Sequence, residues 1–132
     1  MPHAYEWAVL RVVPRVERCE FVNVGVLVYC QGLDYLAAAV TDDLTRAAAL
    51  DPSLDVATTW RHLDGVRALC AGEPSAGDNA RRSPGDRFRW LVAPRSTVIQ
   101  PSPVHTGLSD DPAGMLAELF EQMVAPPAGR PR

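Results

Sequence analysis

The stretch Phe21–Cys30, FVNVGVLVYC, is a nearly unbroken run of apolar and β-branched residues. A run this short and this rich in valine reads as a strand. Taken by alternation, Val22, Val24, Val26, Val28 and Cys30 share one side. Phe21, Asn23, Gly25, Leu27 and Tyr29 share the other, which is apolar at its ends and polar or empty at Asn23 and Gly25. Both sides call for cover, so the run reads as a central strand with a gap in one face. A glycine inside a strand marks a bulge, or the close approach of another backbone or a ligand.

Upstream, Tyr5–Val13 (YEWAVLRVV) is a second such run, stopped by Pro14. The short polar segment Pro14–Glu20 makes an antiparallel hairpin the economical connection. Downstream, Gln31-Gly32 signals a tight turn before a third strand over Leu33–Val40, completing a three-stranded meander. Thr41 or Asp42 can then cap a short alanine-rich helix through Leu50. Asp51-Pro52 looks like an N-cap with proline at the first helical position. The helix it would open carries Val56, Trp60, Leu63, Val66 and Cys70 and stops at Gly72.

Residues 73–86 (EPSAGDNARRSPGD) lose all periodicity and read as a mobile surface loop. Phe88–Ala93 (FRWLVA) reads as another strand, and Pro94–Leu108 as an edge strand or ordered loop. Asp111-Pro112 repeats the cap-plus-proline signal ahead of a C-terminal amphipathic helix striped by Met115, Leu116, Leu119, Phe120, Met123 and Val124. The tail Pro126–Arg132 is expected to be disordered. The expected architecture is α+β: an antiparallel sheet built on the N-terminal meander, helices packed on one face, in a single domain over residues 1–125.

A length of 132 residues suits one domain. Thirteen basic residues face sixteen acidic ones, a net charge of −3, which argues against a nucleic-acid partner held through phosphates. Every basic residue is arginine, as a GC-rich coding sequence would give; with no lysine, Schiff-base chemistry is excluded. Cys19, Cys30 and Cys70 form no CxxC, and His3, His62 and His105 are scattered, so no metal or cofactor is expected. The N-terminus lacks the pattern of a signal peptide and no run is long enough to span a bilayer, so a cytoplasmic location and no membrane association are expected.

Polar chemistry gathers in two places. Arg11 falls on an otherwise apolar strand face near Glu20 and Asn23. An arginine there needs an anion or several carbonyls. It lines a site for a carboxylate or phosphate with Asn23, or it pairs internally with Glu20 or Glu6. The second cluster is Arg95, Ser96, Thr97, Gln100, Ser102 and His105. As an active site it would use His105 as general base, Arg95 to hold an anion, and Ser96 or Ser102 as nucleophile or donor. As structure it is an irregular segment satisfying its own carbonyls. Arg81, Arg82, Arg87, Arg89 and Arg95 also concentrate cations that could dock an acidic partner or simply be solvated, with Arg87 and Arg89 on one strand face.

The opening Tyr5–Arg11, Pro14 and Glu20–Val26, with the later Arg95-Ser96, Ser102–His105, Gly107-Leu108, Asp111-Pro112 and Leu119-Phe120, resembles the bacterial domain-of-unknown-function family numbered 3037. That family favours a small residue such as glycine where Cys19 stands. The resemblance implies no catalytic residue. Its members are small stand-alone proteins often encoded beside HipA-like kinase proteins, which implies a partner or regulator role. Two functions are therefore expected to compete. One is a non-catalytic interaction protein, with a HipA-like kinase as its suspected partner. The other is a small enzyme or binding domain for an anionic small molecule, with Arg11, Glu20, Asn23, Arg95, Ser96 and His105 around one hollow.

Overall fold

The computed structural model describes residues 1–127; the rest of the expected tail, residues 128–132, lies outside the described residues. Three antiparallel strands form the expected meander: β1 (His3–Val12), β2 (Val22–Cys30) and β3 (Tyr35–Val40). Each connection contains a single 3-10 turn, Val16–Arg18 and Gln31–Leu33. These turns close on Cys19 (φ 60°) and Asp34 (φ 51°), both in the left-handed region. Cys19 is thus a position where glycine is the unstrained choice.

Two short strands, β4 (Ile99–Pro101) and β5 (His105–Ser109), divide the second edge of β1 between them. β4 lies opposite Leu10–Val12 and β5 opposite His3–Trp7. Ser102 bridges the interval. Its N–H donates to the Val9 carbonyl and its hydroxyl oxygen accepts the Val9 N–H, both at 2.8 Å. The sheet order is β3-β2-β1, with β4 and β5 beyond β1.

Simple alternation fails within β2. Leu10 pairs with Gly25 and Arg11 with Asn23, so Val24 is the extra residue of a bulge. Val26, Val28 and Cys30 face one side, while Val24 joins Leu10, Val12 and Leu27 on the other. A Cβ on Gly25 would lie 2.9 Å from the Ala39 carbonyl oxygen, so backbone closeness explains that glycine.

The Leu10–Leu27 side is covered by α1 (Thr45–Leu50), α2 (Val56–Ala71) and α3 (Pro84–Leu91) through Ala47, Leu63, Leu69, Phe88 and Leu91. The Val26–Cys30 side is covered by α4 (Pro112–Met123) through Leu116 and Leu119. Helices therefore pack on both faces rather than one, as a strand apolar on both sides requires. α4 begins as expected, with Asp111 accepting the Gly114 N–H at 3.0 Å and proline at the first position.

Other expectations are corrected. Neither Thr41 nor Asp42 caps α1; Asp43 accepts the Thr45 N–H. α2 starts at Val56 with Asp55 as its cap, accepting the Thr58 N–H at 3.0 Å. Asp51-Pro52 instead makes a turn, in which Asp51 accepts from the N–H and hydroxyl of Ser53. Phe88–Ala93 is not a strand, because its core is the second half of α3, capped by Ser83 with Pro84 at its first position. Residues 73–86 hold two 3-10 turns, Pro74–Ala76 and Asp78–Arg81, and then the start of α3.

Candidate functional site

The register places Arg11 beside Asn23. The Arg11 guanidinium lies 4.2 Å over the Phe21 ring, while its Nε is buried with no hydrogen-bond partner. Asn23 donates from Nδ2 to the Met123 carbonyl at the end of α4, at 3.0 Å, and its Oδ1 is buried without a partner. Glu20 pairs with Arg18 rather than with Arg11.

The second cluster is spread out. The Ser102 hydroxyl donates to the Pro103 carbonyl and accepts from Val9, so both of its functions are committed to backbone. His105 is exposed and stacks on Trp7, its partner across the β1–β5 ladder, with ring centroids 4.5 Å apart. Arg95 turns back on α3, donating to the carbonyls of Trp90 and Ala93 and lying 4.7 Å over the Trp90 ring. Ser96 follows it on the surface. The arginines of the 81–95 segment likewise part company. Arg87 is buried against the carbonyls of Leu69 and Cys70, and Arg89 makes a two-pronged pair with Glu6.

Arg95 and Ser96 do belong to a hollow. A groove of about 790 Å³ runs between α2, the 3-10 turns after it, the end of α3 and the segment leading to β4. Val66, Leu69 and Leu91 give it an apolar floor, and Trp90, 46% exposed, forms part of the wall. Arg61 and His62 enter from α2, one turn before Gly65 and Val66. Asn79 enters from the 3-10 turn Asp78–Arg81. Among the described residues no carboxylate lines the groove, and neither do Arg11, Glu20, Asn23, Ser102 or His105. Among the described residues neither Arg61 nor Arg95 has an ion pair; the Arg61 guanidinium donates only to the Thr58 hydroxyl, at 2.9 Å.

Arg61, His62, Gly65, Asn79 and Trp90 were not expected as site residues. One signal for them was present. Gly65 interrupts a helix, where glycine costs about 0.5–1 kcal/mol relative to alanine. The others become neighbours only once α3 is a helix rather than a strand. Elsewhere, burial pushes the Cys70 thiol up to about 12 despite the opposing influence of Arg87, so it is no nucleophile at neutral pH. Among the described residues no group of three or more His, Cys, Asp or Glu could hold a metal ion, and no helix is long and apolar enough to cross a membrane.

Fold and groove together define an α+β domain with an antiparallel five-stranded sheet and an arginine-rimmed, apolar-floored groove. The chain belongs to DUF3037, a protein family of unknown function whose model matches residues 7–124. Comparison with curated proteins and with solved structures gave no match.

Proposed function

We propose that this protein is a non-catalytic interaction domain of the bacterial cytoplasm, receiving an acidic, partly apolar segment of a partner protein in the α2–α3 groove. One observation carries the reading: on a chain of net charge −3, the groove gathers Arg61, His62 and Arg95 over an apolar floor, with no carboxylate among the described residues that line it. Concave apolar sites with a few convergent polar groups are where ligands bind, and the few residues that dominate the energy of protein interfaces are enriched in Trp and Arg. The non-catalytic part is supported by the commitment of Ser102 to backbone and by the stacking of His105 on Trp7. Three free cysteines suit a reducing compartment. The neighbourhood implied by the family resemblance makes a HipA-like kinase the first partner to try.

The test is co-expression with a HipA-like kinase protein, followed by size exclusion at low salt. Co-elution at micromolar concentration, lost in the double variant Arg61→Glu/Arg95→Glu, supports the reading. Separate elution of the two wild-type proteins counts against the kinase. Saturable binding of a small carboxylate or phosphate in the same groove, with no protein captured, would favour the competing reading of a small-anion binding domain.

A further inference from the structure

Gly65 sits inside α2, a helix of 16 residues, far from both ends. Glycine is a poor choice there, because its backbone loses more freedom on folding than that of any other residue. Two structural reasons commonly excuse it, and neither applies. Its φ is not positive, unlike that of Gly72 at the end of the same helix (φ 70°). Nor is there a neighbour to accommodate, since a Cβ built on Gly65 meets nothing within 4 Å. Its position supplies another reason. Gly65 lines the groove one turn after Arg61 and one turn before Leu69, so it leaves a bare patch of helix backbone between a cation and the apolar floor.

We propose that Gly65 is the seat of an aromatic anchor: the acidic segment lays a ring flat on the uncovered backbone of α2, with its carboxylates answered by Arg61 and Arg95. This rests on the groove reading above and adds what the segment must contain. A flat ring gains most from a missing Cβ, because it can approach the backbone over its whole face. Trp90 offers it an aromatic neighbour in the same groove, still 46% exposed with Arg95 over its ring. Offset aromatic pairs add to the burial of the ring itself.

The experiment uses the full chain and blocked peptides of alternating Glu and Asp around one central Phe, Leu or Ala, followed by tryptophan fluorescence. Wild type should bind the Phe peptide at least tenfold more tightly than the Ala peptide. Gly65→Ala should raise the melting temperature by about 2–5 °C, because alanine suits a helix better, yet weaken the Phe peptide tenfold or more. Gly65→Leu, which fills the patch, should abolish that preference. Unchanged affinity in Gly65→Ala overturns the seat while leaving the groove reading intact. A lowered melting temperature in that variant also overturns it, since the glycine would then serve the fold. Failure of wild type to bind any of the acidic peptides removes the groove reading, and the seat with it.

Discussion

The Arg87 guanidinium lies within the core and donates from Nη1 to the Leu69 carbonyl at 3.0 Å, on the last turn of α2. No acid compensates it; among the described residues it has no ion pair. The last carbonyls of a helix carry the negative end of its dipole, so α2 itself stabilises the cation. Arg87 thereby fastens α3 to α2 and fixes two walls of the groove.

Replacing it should therefore disturb the core. Arg87→Leu is expected to lose about 1.5–3 kcal/mol, the range for hydrogen bonds made by a charged donor. Urea unfolding followed by circular dichroism would measure it. A loss under about 0.5 kcal/mol, the level of an ordinary surface substitution, would deny Arg87 this role.

Cys19 holds a left-handed conformation at the close of the first 3-10 turn. Cys19→Gly should raise stability by about 0.5–1 kcal/mol, the relief of left-handed strain less the freedom glycine adds to the unfolded chain. Cys19→Ala, which keeps the strain, should leave the unfolding midpoint almost unmoved. Equal effects of the two substitutions would rule out backbone strain as the cause.

Gly25→Ala should be costly, because its new methyl would meet the Ala39 carbonyl at 2.9 Å and the Val40 side chain at 3.1 Å. Neither strand can yield without moving the sheet. A loss of about 1–3 kcal/mol is expected, as for other overpacked core sites. Amide hydrogen exchange would show the loosening in β2 and β3.

Asp51 predicts how stability responds to acid. The hydroxyl and then the N–H of Ser53 hold its carboxyl below its ordinary value of 3.8; burial opposes them, and Arg15, 3.2 Å away, helps. A carboxylate lowered in the folded state contributes stability that is complete above its unfolded value and disappears as pH falls through the folded one. Asp43 and Asp55 are lowered in the same sense by Thr45 and Thr58. Unfolding midpoints should thus hold from neutral pH to about 5 and decline steeply below about 4. Asp51→Asn should be less stable at neutral pH and should decline less on acidification. An unaltered slope would show that Asp51 is not a source of the decline.

The meander and α4 were legible because their signals are local: the apolar runs around Val26, the Asp111-Pro112 cap and the Leu116–Leu119 stripe. The α3 segment was not. Phe88, Trp90 and Leu91 suit a strand or a helix almost equally, and Ser83-Pro84 reads as turn chemistry until a helix follows it. Face assignment failed at Val24, because one bulged residue reverses every side chain beyond it. Of the site, Arg95 and Ser96 were found by their density of donors, but Arg61 and Gly65 answer to partners distant in sequence. The expectation of one hollow holding Arg11 and His105 as well finds no counterpart in the groove, whose walls come from other elements.

The division of the second edge of β1 between β4 and β5 bears on how the molecule is made. β1 leaves the ribosome well before the segments that close its outer margin, which emerge nearly a hundred residues later. Until then β1 presents its outer edge unpaired, and pairings over such sequence distances form slowly. A nascent chain halted after β3 and before Ile99 would expose a sticky ribbon, so this fold should lean on whatever shelters emerging polypeptides.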